Sequence, residues 1–343
     1  MPATSGLPFD DVRSIFERMP QPDQHFRTQA ALRNANLLKP TGSLGELEAI
    51  ALFLAGWQGT EKPQVTRPLV ALFAGNHGVH AQGVSKWPME ITQTMVDMFM
   101  QGGAAINQLC ALHGLGLKVF DLALDMPVED FTQSAAMDEK SCAATIAFGM
   151  EAIAGGVDLV CVGEMGIANT TAASAIYAGL FGGDAKDWVG EGAGSDDEQH
   201  ARKLAAVQKG LERHANQLSD PLEVLRCFGG REIAAMAGTI LSARMEKIPV
   251  VVDGFVATAS AAVLHAIDPA ALDHCIFGHV SAEKAHRQAL DHMGKPALLD
   301  LNMRLGEGTG AALAAMLVKS AASTHSGMAT FADIGLPEVT HLQ

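Results

Sequence analysis

Six short apolar runs punctuate this chain, and each stops at a glycine or a polar residue. They are Pro68–Ala74, Leu117–Leu122, Val157–Val162, Ile248–Val252, His274–Phe277 and Ala297–Leu301. Longer alanine-rich segments with helical spacing lie between several of them, including Ile233–Lys247, Ala257–Ala266 and Ala282–Met293. Strands that are apolar throughout have both faces covered, and strands alternating with helices are joined by crossovers. The pattern predicts an α/β protein with an open parallel sheet of about six strands and helices on both faces, a Rossmann-like arrangement.

The ends depart from this alternation. Phe9–Met19, opened by Asp10, and Gln24–Leu37 read as two helices, and Thr309–Ser323 as a long apolar helix with no strand after it. The expected division is a small helical domain from residues 1–45 and 309–343 beside a large α/β domain of residues 46–308. Gly182–Gln199 reads as a long loop rich in glycine and aspartate, a length usual for functional or mobile segments.

Composition narrows the function. The chain has 343 residues, with 24 Lys and Arg against 38 Asp and Glu, a formal net charge of −14. Nucleic-acid binders normally carry a basic surplus, so no nucleic-acid partner is expected. Hydrophobic residues reach 48%, too many for a disordered chain. No window resembles a membrane span, and residues 1–20 carry no signal-peptide core. Five scattered cysteines without a C-x-x-C pair fit free thiols in a cytoplasmic protein.

In open parallel sheets, ligands sit beyond the carboxyl ends of the strands. Five runs lead into stretches rich in glycine and polar residues there. The third leads into residues 163–171 (GEMGIANTT), where backbone N–H groups at a helix start suit a phosphate. A simple N-cap and turn is the plainer reading, but it needs fewer polar residues. The sixth leads into Gly306-Glu307-Gly308-Thr309-Gly310. Glu307 could merely favour a helix N-terminus. Glycines on both sides strip away bulk and point instead to a general base approached by substrate. His77 fits either a catalytic or a buried structural role. The histidine spacing matches no metal site, and Asp196-Asp197-Glu198 reads more readily as a helix start than as a Mg²⁺ site. Neither metal nor cofactor is expected.

Taken in order, the strand-end motifs resemble the nicotinate-nucleotide–dimethylbenzimidazole phosphoribosyltransferase family of cobalamin lower-ligand assembly. The likeness runs from Thr41-Gly42-Ser43-Leu44-Gly45 to about Gly310. It takes in Gly75-Asn76-His77-Gly78-Val79, Gly83-Val84-Ser85 and the 163–171 segment. It continues through Gly229-Gly230, Asp253-Gly254-Phe255, residues 279–283 (HVSAE) and Leu305–Gly310. The resemblance implies transfer of the phosphoribosyl group of nicotinate mononucleotide to 5,6-dimethylbenzimidazole. The products are nicotinate and α-ribazole 5′-phosphate, with inversion at C1′. It implies Glu307 as the base. Ser85, Gln93, Met165 and Leu305 would line the benzimidazole pocket, and Glu164 would sit by the ribose or the bases. Gly166, Ile167, Ala168, Asn169, Thr170 and Lys203 would hold the phosphate, and Gly254, Ser281 and Gly306 would complete the nucleotide site. A homodimer is implied as well.

Four positions depart from the family pattern. Ala168 stands where a second glycine is usual, and its methyl group requires a negative φ. Glu191 and Ala193 replace a basic residue and a threonine in the Gly190–Gly194 loop. Trp87 precedes Pro88 beside the acceptor pocket. Two other readings stand beside the transferase. One is a Mg²⁺- and pyrophosphate-dependent phosphoribosyltransferase using Asp253 and the Asp196-Asp197 pair; the other is a non-catalytic nucleotide- or base-binding protein.

Overall fold

All six runs become strands of one sheet. They are β1 (Pro68–Ala74), β2 (Gly116–Asp121), β3 (Leu159–Met165), β4 (Val250–Val252), β5 (Cys275–His279) and β6 (Ala297–Leu299). Their order is β2-β1-β3-β4-β5-β6, and every pairing is parallel. The structure, a computed structural model, describes residues 6–192, 194 and 196–341.

Alternation along the strands divides the core in two. Ala71, Phe73, Val160, Val162, Val250 and Val252 face one apolar cluster, while Val70, Leu72, Leu159, Cys161 and Val251 face the other. Successive side chains point to opposite faces, so both faces need a helical cover. Helices Glu139–Met150, Arg231–Met245, Phe255–Ile267 and Asn169–Phe181 cover the first. Helices Glu46–Gln58, Ala105–His113 and Thr309–Gly327 cover the second. The small residues let these covers approach closely. Gly149 lies against the backbone of Ala235 and Gly238 against that of Ile146, where a Cβ would overlap in either case.

The chain ends meet in part. Helix Gln24–Asn36 is tied to the end of the last helix by Arg33, which donates to the carbonyls of His325, Ser326 and Met328. The first helix, Pro8–Phe16, packs instead on Glu139–Met150. The start of the last helix covers the sheet, where Ala311, Ala312, Ala314 and Ala315 are fully buried.

Several sequence-based boundaries move by a few residues, and two of the changes bear on the site. β3 runs on to Met165, three residues beyond the apolar run, because pairing with β1 continues through Phe73 with Glu164 and Ala74 with Met165. Glu164 is therefore a strand residue. The 182–199 segment is broken by the short helix Ala185–Trp188, anchored by buried Trp188, and it ends where Asp196 caps helix Asp197–Arg213. Ala193, one of the departures noted above, lies outside the described residues.

Candidate active site

The chain leaves β1 toward β2 on one side, and β3 then continues the sheet on the other. A crevice opens at such a reversal, beyond the carboxyl ends of the two strands. Gly75, after β1, donates its N–H to the carbonyl of Met165 at 3.0 Å. Gly166, after β3, sits so close that a Cβ there would come within 2.6 Å of the Gly75 carbonyl oxygen.

Glu307 reaches this crevice on an unusual turn. Gly306, Glu307 and Gly308 have φ of 79°, 61° and 73°, all left-handed. A non-glycine residue there costs about 1–2 kcal/mol and persists only where the surroundings fix it. Here they do. Glu307 N donates to the Glu164 carbonyl at 3.1 Å, and the Gly308 and Ala311 N–H groups donate to Asp253 at 3.2 and 2.8 Å. A Cβ on Gly306 would overlap the Glu164 carboxylate. The side chain of Glu307 is buried, and its Oε2 has no hydrogen-bond partner among the described residues. Burial, with Asp253 as a lesser cause, pushes its carboxyl up to about 7.

Further acids crowd the same place. Glu164 accepts a hydrogen bond from the Asn169 side chain. Burial nevertheless pushes it up to about 8, and Asp253, Glu232 and Glu307 add to the rise. Asp253 is fully buried; burial raises it, against His279 at 3.7 Å and the backbone N–H donors. Behind them, His77 Nε2 lies 2.6 Å from Glu232 Oε1, with both side chains buried. His77 therefore belongs to a structural ion pair or hydrogen bond behind the crevice.

The helix Asn169–Phe181 opens at Ala168, whose φ is 76°. This overturns the expected negative φ. The methyl group is buried in the core cluster under the loop, so packing offsets part of the left-handed cost. Two loop amides are engaged within the protein: Ile167 N donates to Thr92 Oγ1 and Asn169 N to the Gly166 carbonyl, each at 3.2 Å. Lys203 is buried beside them. Its ammonium donates to Thr170 Oγ1 at 3.2 Å and to the Gly190 carbonyl at 3.1 Å. Burial lowers its pKa, and the Glu283 carboxylate opposes that shift.

These groups border two adjoining hollows. The larger, of about 460 Å³, is lined by Glu164, Met165, Gly166, Ile167, Asn169, Thr170, Gly254, Ser281, Leu305, Gly306 and Glu307 among others. The smaller, of about 60 Å³, shares Gly166, Ile167, Asn169 and Thr170 and adds Ser85, Ala168 and Lys203. Ser85 is thus placed on the Lys203 side. Gln93 reaches neither hollow; it is exposed and donates to Asp97 at 3.0 Å. Ile91 and Met95, one helical turn apart, face the large hollow, and Gln93 midway between them points elsewhere.

Arg304, His279 and Glu283 also line the large hollow, and sequence reading gave none of them a role. Arg304 donates to the Gly192 carbonyl at 2.8 Å. Its place two residues before Gly306 was the available signal, a cation in a strand-end segment. The acids of the Mg²⁺ reading have other tasks: Asp253 holds backbone N–H groups, and Asp196 caps a helix through Gln199 N at 2.8 Å. Among the described residues, no group of three or more His, Cys, Asp or Glu side chains could hold a metal ion.

The phosphoribosyltransferase family model DBI_PRT matches residues 19–336. A Brucella canis nicotinate-nucleotide–dimethylbenzimidazole phosphoribosyltransferase is 63% identical over 97% of this chain and 98% of its own length. A Rhizobium leguminosarum bv. trifolii protein of the same name is 61% identical over the same shares. The crystal structure of CobT from Thermus thermophilus superposes with a TM-score of 0.84 at 39% identity, covering 92% of this chain and all of that one. Matches of this extent, joined to the crevice geometry, place the chain in the nicotinate-nucleotide–dimethylbenzimidazole phosphoribosyltransferase family.

Proposed function

We propose that this protein transfers the 5-phosphoribosyl group of nicotinate mononucleotide to 5,6-dimethylbenzimidazole, releasing nicotinate and α-ribazole 5′-phosphate. The observation that carries the reading is Glu307, a buried carboxylate with one oxygen unpartnered among the described residues, lining a largely apolar hollow of about 460 Å³. The benzimidazole lies along Met165, Leu305, Ile91 and Met95. One ring nitrogen attacks C1′, and the C1′–nicotinate bond breaks with inversion. The ring N–H proton passes to Glu307. A base held near 7 accepts that proton at neutral pH better than an ordinary carboxylate does. The leaving group is a pyridinium nitrogen, so its bonding electrons neutralise a charge already there, and no metal need stabilise a leaving pyrophosphate.

The phosphate occupies the Lys203 side, where Thr170, Ser85 and the loop after β3 converge. This lets an acidic protein bind an anion: the buried Lys203 ammonium is placed where it is needed. Gly254, Ser281 and Gly306 border the ribose. Alignment of donor and acceptor supplies much of the acceleration. The reading includes a homodimer in the cytoplasm. Met100 and Leu112 are 74% and 76% exposed on two helices that pack by β2, an apolar surface suited to a second copy.

The experiment mixes protein, nicotinate mononucleotide and 5,6-dimethylbenzimidazole with excess EDTA and follows products by chromatography. Stoichiometric nicotinate and α-ribazole phosphate are expected. Activity abolished by EDTA would favour the Mg²⁺-dependent reading, and binding without nicotinate release the non-catalytic one.

A further inference from the structure

Asp253 stands at the carboxyl end of central β4 and is fully buried. Its two oxygens are spent on one short stretch of chain. Oδ2 accepts from Gly308 N at 3.2 Å and Oδ1 from Ala311 N at 2.8 Å. Those donors lie one and four residues beyond Glu307. The same carboxylate is 3.7 Å from His279 Nε2. That imidazole is nested so tightly that a Cβ on Gly254 would come within 2.9 Å of it, and one on Gly310 would overlap it. An ordinary helix start uses an exposed Ser, Thr or Asp that precedes it in sequence. Here the acceptor comes from the end of another strand, is itself a fully buried carboxyl group, and borders the cavity through His279. Capping alone does not call for this arrangement.

We infer that Asp253 is a positioning residue for Glu307: it clamps the left-handed turn that aims the base, and it places a second negative charge beside it. The clamp matters because Glu307 has φ of 61°, a conformation the free chain abandons. The charge matters because a neighbouring carboxylate opposes ionisation and so makes Glu307 the stronger base. Other charged groups act on the same carboxyl. Glu164 faces it from β3, with Glu232 behind Glu164, and a negative charge on either also opposes ionisation. His279 from β5, Arg304 from the preceding loop and Glu283 line the shared cavity. Asp253 differs from these in touching the turn on the far side of Glu307.

The inference rests on Glu307 being the proton acceptor, so its test includes a control for that reading. The pH dependence of kcat is measured for the wild type, Asp253→Asn and Glu307→Gln, after circular dichroism has confirmed folding. The asparagine variant keeps the shape, loses the charge and retains one good backbone acceptor. It is expected to lose roughly 10- to 100-fold in kcat. Its acid limb is expected to fall by about one pH unit, because removing a negative neighbour lowers the pKa of Glu307. KM for either substrate should change by less than about threefold, which separates positioning from binding. A folded Asp253→Asn enzyme whose acid limb stays in place overturns the inference while Glu307→Gln is inactive. An active Glu307→Gln enzyme overturns the proton-acceptor reading instead. Should Asp253→Asn not fold, Asp253→Ser, smaller and neutral, is read the same way. Failure of both to fold would assign the carboxylate to the fold alone and overturn the inference.

Discussion

Glu307 N donates to the main-chain carbonyl of Glu164 at 3.1 Å, so the start of the last helix is stitched to the end of β3. The two carboxylates are thereby held at one crevice although 143 positions separate them in the chain. Glu307 is among the charges that raise Glu164, and both acids sit well above the usual carboxylate range.

Glu164 should make stability depend on pH in a definite direction. Its folded pKa is about 8 against an ordinary 4.5, so the folded state holds this proton where the unfolded chain has lost it. Its contribution is most favourable below the unfolded value and is lost as pH rises toward 8. Thermal unfolding of wild type and Glu164→Gln should therefore diverge between about pH 5 and pH 8, with the wild type losing ground to the variant. A constant difference in Tm across that window would show that the folded state does not retain this proton.

Gly306→Ala should damage both fold and chemistry. The new Cβ would overlap the Glu164 carboxylate, and φ is 79°. We expect about 1–3 kcal/mol of destabilisation and roughly 10- to 100-fold lower kcat, as the turn carrying Glu307 shifts. Denaturant unfolding with steady-state kinetics checks both.

How much is legible in the sequence follows from what each residue's neighbours require. The central strand runs show themselves because both faces of β1, β3 and β4 are dry, which demands unbroken apolar residues. Glu307 is legible because two glycines isolate it. The expectation for Gln93 comes from the family resemblance, whereas its placement depends on helix phase, which puts Ile91 and Met95 toward the cavity instead. Ala168 escapes sequence reading because local sterics favour negative φ, while burial of its methyl group, a tertiary effect, helps hold φ at 76°. The end of β3 lies beyond its apolar run because polar Glu164 looks like a terminus, though β1 carries the pairing past it.

Ala168→Gly follows from that correction. Relief of left-handed strain and loss of a buried methyl group oppose each other at about 1 kcal/mol each. Stability should stay within about 1 kcal/mol of wild type, with KM for the mononucleotide little changed. A large gain or loss in chemical denaturation would show that one of the two effects is absent.

Lys203→Met removes the buried ammonium between Thr170 and Gly190. KM for nicotinate mononucleotide should rise by roughly 30-fold or more, as expected for a lost charge-assisted contact to phosphate, with a smaller change for the base. Equal effects on both substrates would place the phosphate elsewhere.

The pH dependence of kcat/KM for 5,6-dimethylbenzimidazole in wild type and Glu307→Gln tests whether Glu307 takes the proton. Wild-type activity should climb with pH and level off above an acid limb near 7, the point where Glu307 becomes free to accept a proton. The glutamine variant should lose roughly 10²- to 10⁴-fold and show no such limb. An unchanged limb with substantial activity in Glu307→Gln would contradict the assignment of Glu307 as the base.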